Sequence, residues 1–211
     1  AIVDDEALDL FLLVADSPAQ MLSRYTHVTG RAPTLPVWGL GLWVSKAYYA
    51  TAAEATEAAA ALRGHYVPCD VLTLDGRAAW DVRTRFDFRW DEARYSDPHA
   101  ALARMRAFGL RICVWLYPYV SIRSPRYAEL AARGYFLRRA DADEPYVFDW
   151  DVDPATSPFG NVLTALQPSA IIDFTNPDAY GFWRDEHRAL FEAGVDVIKV
   201  DFGEHVPDGC R

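Results

Sequence analysis

The residues with the clearest capacity for chemistry end the last apolar run of the sequence, Val195–Asp201, which reads VDVIKVD. Residues two positions apart on a strand face the same side, so Lys199 and Asp201 share a face. A nearby positive charge favours the ionised form of a carboxyl group. An ionised carboxylate at a strand end could attack the anomeric carbon of a sugar and form a covalent glycosyl-enzyme. A purely structural Lys–Asp pair explains the same spacing about equally well.

A second carboxylate, Asp75, ends the earlier apolar run Cys69–Asp75. In that position its oxygens would accept hydrogen bonds from sugar hydroxyls. The following Gly76 gives a structural alternative, because Asp-Gly is also a favoured turn pair. Taken alone, Asp75 is slightly more typical of a turn residue than of a binding residue.

Aromatic side chains cluster at or just after the predicted strand ends. Sugar rings present apolar C–H faces, to which aromatic rings are well suited. Core packing is the alternative for each ring, but it explains a cluster confined to one end of the strands less well. Of these rings, Trp43, Tyr48 and Trp115 are predicted to contact a sugar. The whole cluster is Trp43, Tyr48, Tyr49, Trp115, Tyr117 and Tyr119.

The surrounding sequence repeats a strand-then-helix pattern in which four near-continuous apolar runs are the strands. Such runs are typical of an α/β fold with a parallel sheet covered by helices. No Gly-x-Gly-x-x-Gly opens a helix, which counts against a dinucleotide-binding sheet and favours a (β/α)8 TIM barrel. Chemistry in such a barrel lies at the carboxyl ends of its strands. The predicted strands are Val37–Val44, Cys69–Asp75, Arg111–Tyr117 and Val195–Asp201.

Capping residues mark the helices between these strands. Thr51 and Glu54, three residues apart, form a capping box, and Gly64 is predicted to follow the end of that helix. Asp97 and Asn176 each precede a proline, which is tolerated at the first position of a helix.

The pattern divides the chain into three parts. Residues 1–16 contain the apolar run LDLFLLV and are predicted to end an amino-terminal β-sandwich domain, and residues 17–36 form a linking helix and loop. Residues 37–211 are predicted to hold about the first four β/α units of the barrel, with an insertion at 135–172. The chain starts without Met and without a basic segment, so we expect an interior piece of a longer protein rather than a signal peptide.

The amino-acid composition limits the kinds of binding partner and the cellular compartment that can be predicted. The chain has 211 residues, with 21 Lys+Arg against 30 Asp+Glu and a net charge of −9. Nucleic acids and anionic membranes require a basic face, so neither is a predicted partner. No metal or cofactor is predicted, because no ligand spacing such as C-x-x-C occurs. Cys69 and Cys113 are predicted to be buried free thiols, which indicates a reducing compartment and a cytoplasmic location. A homo-oligomer is compatible with the sequence.

Several motifs, in order and at consistent spacings, resemble glycoside hydrolase family 31, which comprises retaining α-glucosidases and α-xylosidases. The likeness covers nearly the whole chain, from the end of the β-sandwich to the fourth barrel strand. The motifs are WGLGLW at 38–43, FDF at 86–88, ICVW at 112–115, PY at 118–119, DFTNP at 173–177 and KVDFGE at 199–204.

This resemblance implies a role for each matched position. Asp201 matches the catalytic nucleophile, and Lys199, Asp75 and Trp115 match residues of the pocket around the sugar being cleaved. Tyr48 falls where α-xylosidase-like members place an aromatic ring near the leaving group. The KVDFGE form resembles the bacterial α-xylosidase branch. It implies that a small oligosaccharide or α-glycoside with a terminal α-xylosyl or α-glucosyl group is hydrolysed through a covalent glycosyl-aspartate.

The resemblance also implies a general acid/base aspartate beyond Arg211, so the 211-residue chain is expected to be inactive alone. Two other interpretations stay open. Lys199 could form a Schiff base in a barrel lyase. Alternatively, the chain could be a non-catalytic carbohydrate-binding relic that keeps the aromatic rings and does not need Asp201.

Overall fold

The computed structural model of the chain describes residues 10–81, 84–149, 167–203, 206 and 210. The chain divides into two compact units, Ala1–Leu40 and Gly41–Arg211. Three parts of the sequence discussed above lie outside the described residues. They are the start of the LDLFLLV run, residues 150–166 of the predicted insertion and Glu204 of the KVDFGE motif. The predicted domain boundaries at residues 16 and 36 stay predictions.

The first unit contains the predicted linking helix. Helix α1 spans Pro18–Thr29, and the hydroxyl of its N-cap, Ser17, accepts a hydrogen bond from the Gln20 amide at 3.3 Å. Residues 10–14 were predicted to belong to a β-sandwich strand, but the structure gives them no strand. A strand requires a hydrogen-bonded neighbour, and the described part of this unit contains none.

The second unit contains all the strands of the described residues. They are β1 (Leu42–Lys46), β2 (Cys69–Leu74), β3 (Arg111–Leu116), β4 (Tyr119–Ser121), β5 (Val147–Phe148), β6 (Ser169–Ile171) and β7 (Val197–Val200). Its helices are α2 (Ala52–Gly64), α3 (Pro98–Arg106), α4 (Tyr127–Ala132) and α5 (Pro177–Ala193).

The main sheet is parallel and has the strand order β1-β2-β3-β7, so its spatial order follows the order of the four strands in the chain. A doubly wound sheet reverses its strand order at a switch point, whereas a barrel continues in one direction. The helices α2, α3 and α5 connect consecutive strands of this sheet. The arrangement therefore confirms the α/β prediction and fits an arc of a (β/α)8 barrel.

The first strand was predicted too early. Residues 37–40 form a 3-10 turn, and β1 starts at Leu42 instead of residue 37. Gly41 explains the local packing, because a Cβ atom at this position would clash with the Asp70 carboxylate. The shift brings Ser45, which lay outside the predicted strand, into the sheet.

The predicted helix starts are confirmed. The side chains of Thr51, Asp97 and Asn176 each accept a hydrogen bond from an amide in the first turn of α2, α3 and α5, respectively. These amides have no carbonyl partner within the helix, so the caps satisfy them.

The end of α2 differs from the prediction at Gly64. Gly64 is the last helical residue, and the left-handed residue is Tyr66, with a φ of 57°. The Val67 amide donates to the Leu62 carbonyl at 2.8 Å and closes the helix end. This bond is the six-to-one contact of a Schellman motif, which replaces the predicted glycine stop.

A small antiparallel sheet, with the order β4-β6-β5, lies between β3 and α5 along the chain. It starts at Tyr119, earlier than the predicted insertion at residue 135. Asp87 of the FDF motif also contacts this region, because the buried Asp87 carboxylate accepts a hydrogen bond from the Ser124 hydroxyl at 2.6 Å. Burial raises the pKa of Asp87. The FDF motif thus ties the loop after β2 to the segment between β4 and α4.

No helix within the described ranges is long and apolar enough to cross a membrane.

Candidate active site

The strand register brings the predicted site residues to one edge of the main sheet. Trp115 on β3 lies opposite Lys199 on β7, and Leu74 on β2 lies opposite Val114. Asp75 follows Leu74 directly and therefore comes level with Trp115. Asp201 follows the end of β7. All four predicted residues lie at the carboxyl edge, where the strand ends of a parallel sheet meet.

Lys199 joins the two carboxylates of this edge. Its Nζ atom lies 2.9 Å from Asp75 Oδ2 and 3.7 Å from Asp201 Oδ2. The sequence predicted that Lys199 acts mainly on Asp201, but its hydrogen bond goes to Asp75. Strand β3 separates β2 from β7, and neighbouring strands of a sheet lie about 4.8 Å apart. The Lys199 side chain must therefore cross β3 to reach Asp75.

The pKa of Lys199 is raised from its usual value. Partial burial lowers it, but the hydrogen bond to Asp75 and the charges of Asp75 and Asp201 outweigh burial. A raised lysine pKa keeps the ammonium group protonated at neutral pH. A protonated amine cannot attack a carbonyl group, so this environment does not favour Schiff-base chemistry at Lys199.

The Asp201 carboxylate is held by two donors of different origin. The Trp115 indole Nε1 donates to Oδ2 at 2.7 Å, and the Phe202 amide donates to Oδ1 at 3.2 Å. The Asp201 amide itself donates to the Leu116 carbonyl at 2.9 Å, which continues the β3–β7 pairing to this residue. These bonds fix both the backbone and the carboxylate of Asp201.

Trp115 therefore has a role that the sequence did not predict. It was expected to offer its ring face to a sugar, but only 3% of its surface is exposed and its indole nitrogen binds Asp201. Trp80 supports it from the loop after β2, because the Trp80 indole donates to the Trp115 carbonyl at 2.6 Å.

Ser45 is a functional candidate that the sequence analysis missed. Its hydroxyl donates to Asp75 Oδ2 at 2.8 Å, so Ser45 and Lys199 bind the same oxygen. The alternation that includes Trp43 predicts that Ser45 faces the same side. Because the strand was placed too early, Ser45 was assigned to the loop instead.

If the full-length protein hydrolyses α-xylosides, as the resemblance to glycoside hydrolase family 31 implies, replacing Ser45 with alanine is expected to lower its kcat/KM about five- to tenfold, because one hydrogen bond to the Asp75 carboxylate is lost. Steady-state kinetics with an aryl α-xyloside would measure this change. Ser121→Ala is a matched control, since Ser121 lies on β4 and its hydroxyl accepts from the Arg123 amide. An unchanged kcat/KM for Ser45→Ala would show that Lys199 alone orients Asp75.

Two predicted sugar-contacting residues lie apart from this hydrogen-bond group. Trp43 is opposite Val71, two positions closer to the amino edge than Ser45. Tyr48 lies beyond β1, and its ring centre is 5.3 Å from the guanidinium carbon of Arg94. Their contact with a sugar stays a prediction.

The rest of the aromatic cluster is largely core. Tyr49, Tyr117 and Tyr119 are each at most 2% exposed. These rings cannot serve as open platforms for a sugar, and the alternative of core packing is correct for them. Concentration at strand ends was a misleading signal, since all three rings belong to the hydrophobic core.

Metal-binding clusters are absent from the described ranges, where no group of three or more His, Cys, Asp or Glu side chains could hold an ion. The site consists of two carboxylates, one ammonium group, an indole donor and a hydroxyl. This set can bind hydroxyl groups and can present one oriented carboxylate to an electrophilic carbon.

Known sequences similar to this chain include two α-xylosidases. The α-xylosidase XylQ of Lactiplantibacillus pentosus is 30% identical over 207 residues, which cover 97% of this chain and 25% of the relative. An α-xylosidase of Emericella nidulans is 29% identical over 208 residues, which cover 97% of this chain and 24% of the relative. The chain thus spans about a quarter of the length of these curated relatives.

Solved structures share the fold at lower identity. A family 31 dextranase of Flavobacterium johnsoniae, complexed with glucose, superposes with a TM-score of 0.75 at 22% identity, over 90% of this chain and 22% of that one. A family 31 α-xylosidase from a soil metagenome, complexed with xylose, superposes with a TM-score of 0.73 at 22% identity, over 93% of this chain and 27% of that one.

The family model for the glycosyl hydrolases family 31 TIM-barrel domain matches residues 32–210. That match covers most of the chain, includes the whole described main sheet and agrees with its unreversed strand order. The chain therefore belongs to glycoside hydrolase family 31 and carries part of the TIM-barrel domain of that family.

Proposed function

We propose that the full-length protein is a retaining α-glycosidase that hydrolyses terminal α-xylosides or α-glucosides, with Asp201 as its nucleophile. The observation that carries this proposal is the Asp201 carboxylate itself. It lies at the carboxyl edge of the sheet, held by the Trp115 indole at 2.7 Å and close to the Lys199 ammonium at 3.7 Å. A nucleophilic carboxylate must be oriented toward the anomeric carbon, and the indole donor and the nearby ammonium group restrain the Asp201 carboxylate.

The proposed reaction has two displacement steps. An Asp201 oxygen forms a bond to the anomeric carbon while the glycosidic C–O bond breaks, and the leaving oxygen takes a proton from a general acid. Water then attacks the anomeric carbon of the glycosyl-aspartate, gives its proton to the same residue and releases Asp201. Two inversions at one carbon retain the configuration of the sugar.

Asp75 is proposed to bind hydroxyl groups of the sugar being cleaved. Lys199 and Ser45 both bind its Oδ2 atom, which fixes the plane of the carboxylate. A carboxylate held in this way accepts charge-assisted hydrogen bonds from hydroxyls at low cost in side-chain entropy.

The general acid/base is proposed to lie outside these 211 residues. Retaining enzymes place their two carboxyl groups about 5–5.5 Å apart. The carboxylate that shares Lys199 with Asp201 is Asp75, which already has Ser45 and Lys199 as partners and stays with the sugar-binding role. Hydrolysis of an aryl α-xyloside at enzymatic rates by residues 1–211 alone would contradict this assignment.

Similarity to named α-xylosidases supports xylose as the first substrate to test. The chain has lower identity to the α-glucosidase 2 of Bacillus thermoamyloliquefaciens, 27% over 201 residues. We therefore place α-xylosides before α-glucosides.

Covalent trapping tests the proposal. A 5-fluoro-α-xylosyl fluoride carries a leaving group that needs no acid, and its ring fluorine slows hydrolysis of the intermediate. We expect the full-length protein to gain one fluoroxylosyl group, located on Asp201 by peptide mass spectrometry, with release of one fluoride. Borohydride reduction that fixed a carbonyl substrate on Lys199 would instead support a lyase, and absence of both adducts would support a binding role.

A further inference from the structure

The two residues that follow Asp201 form a tight left-handed turn. Phe202 has a φ of 55° and Gly203 a φ of 96°. The left-handed region costs a residue with a side chain about 1–2 kcal/mol, so the surrounding structure must hold Phe202 there. A Cβ atom at Gly203 would lie 3.1 Å from the Pro118 ring, so the turn also packs closely against the β3–β4 connection.

Tyr119, on strand β4 of the small sheet, holds this turn. The Gly203 amide donates to the Tyr119 hydroxyl at 3.2 Å, and the tyrosine is fully buried, with 0% of its surface exposed. The backbone of Tyr119 lies opposite Ile171 in the β4–β6 ladder. Its ring centre is 5.3 Å from that of Tyr117 and 6.3 Å from that of Phe148 on β5.

The conformation of this turn determines where the Asp201 carboxylate points. The Phe202 amide, which lies inside the turn, donates to Asp201 Oδ1 at 3.2 Å. A rotation of the Phe202–Gly203 segment would carry that amide away from the carboxylate. Trp115 and Lys199 would then restrain the carboxylate through Oδ2 only, and Oδ1 would lose its donor.

We infer that Tyr119 is a positioning residue for the nucleophile, which it orients through Gly203 and Phe202. This inference rests on the proposed function of Asp201. The small sheet then contributes to the reaction, because its three strands anchor the Tyr119 hydroxyl, which binds the turn behind the nucleophile. A displacement of about 1 Å at a reacting group can cost on the order of 100-fold in rate.

Replacement of Tyr119 with phenylalanine removes only the hydroxyl and keeps the buried ring. In the full-length protein we expect the rate constant for labelling of Asp201 by 5-fluoro-α-xylosyl fluoride to fall at least about tenfold. The concentration for half-maximal labelling rate should change less than about twofold, because Asp75 keeps both of its partners, Ser45 and Lys199. Hydrogen exchange of the peptide that contains residues 202 and 203 should become faster.

Tyr95→Phe is the matched control. Tyr95 is also a buried tyrosine, and its hydroxyl donates to the Ala78 carbonyl at 2.9 Å, far along the chain from the turn. We expect this variant to lose thermal stability to an extent similar to Tyr119→Phe but to label Asp201 within twofold of the unchanged protein. A purely structural role for Tyr119 would make both variants behave alike.

The outcomes separate this inference from the proposed function. If the unchanged protein is not labelled at Asp201, the proposed function fails. If it is labelled and folded Tyr119→Phe is labelled at the same rate, the positioning role is wrong. Phe148→Leu keeps the hydroxyl but loosens the ring contact, and it replaces Tyr119→Phe if the latter does not fold. A smaller decrease of the labelling rate is expected for Phe148→Leu, and no decrease would overturn the inference.

Discussion

Replacing Asp201 with glycine is expected to lower kcat of the full-length protein for an aryl α-xyloside by about 10⁴-fold or more, the scale seen when a catalytic nucleophile is removed. The reason is that no other group would form the bond to the anomeric carbon. Substrate binding should change much less, since Asp75 and Lys199 remain. Steady-state kinetics, with circular dichroism to confirm folding, would measure both.

Chemical rescue of the Asp201→Gly variant by azide gives a second test of this prediction. The glycine variant leaves room for a small anion where the carboxylate stood, and azide should attack the anomeric carbon from that side. One displacement inverts the sugar, so the product would be a β-xylosyl azide rather than a retained xylose, identifiable by NMR. Asp75→Gly is the control, because azide should not restore a variant that lacks a hydroxyl-binding group.

Retention of more than about a tenth of kcat in Asp201→Gly would exclude Asp201 as nucleophile. An unchanged protein that binds xylosides without turnover, and whose affinity survives Asp201→Gly, would be the non-catalytic relic. The unchanged protein hydrolyses substrate in the first case and does not in the second, so activity of the unchanged protein distinguishes the two interpretations.

The position of the main site residues could be predicted because it depends on local patterns. Apolar runs that end in Asp75 and Asp201 mark the ends of buried strands, and strand alternation places Lys199 on the face of Asp201. Capping residues such as Thr51 and Asn176 predict the helix starts equally well, since each satisfies amides of its own helix.

The pairing between these residues could not be predicted from local patterns. The Lys199–Asp75 contact joins residues 124 positions apart on two strands that are not neighbours in the sheet. Its formation depends on the register of both strands with β3 and on the reach of a lysine side chain. Strand alternation gives a face but does not give a register between strands.

The start of β1 and the burial of Tyr119 depend on tertiary packing, which could not be predicted from the sequence. Gly41 and Asp70 approach each other closely, and this contact accompanies the later start of β1 that brings Ser45 into the site. Tyr119 belonged to the aromatic cluster for which sugar contact and core packing were both open, but it is fully buried on β4 of the small sheet and contacts the turn after Asp201. Both cases show tertiary contacts overriding an assignment made from residue type.

The second large effect is expected for Asp75→Asn, which should lower kcat/KM about 10²- to 10³-fold, the scale of losing a preorganised charged hydrogen-bonding group. The amide keeps the shape of the carboxylate but removes the charge that pairs with Lys199 at 2.9 Å. The sugar hydroxyls would also lose a charge-assisted acceptor. Steady-state kinetics over a range of pH would measure this effect.

The pH dependence gives this prediction a second, independent readout. Asp75 raises the pKa of Lys199 through a hydrogen bond and its charge, against the opposing effect of burial. Without that charge the lysine pKa falls, so the ammonium form is lost at lower pH. If activity requires protonated Lys199, the alkaline decrease of kcat/KM should therefore begin at lower pH in Asp75→Asn.

Asp70→Asn is the matched control, since Asp70 lies near the amino end of the same strand, β2. It should leave kcat/KM within about twofold and the alkaline decrease in place, whatever its effect on stability. If the Asp75→Asn variant keeps kcat/KM within threefold and has the same pH profile, Asp75 is a turn residue and does not bind the sugar. Because Ser45 and Lys199 meet at a single Asp75 oxygen, we expect the opposite: the charge of Asp75 sets both the sugar contact and the state of the lysine beside the nucleophile.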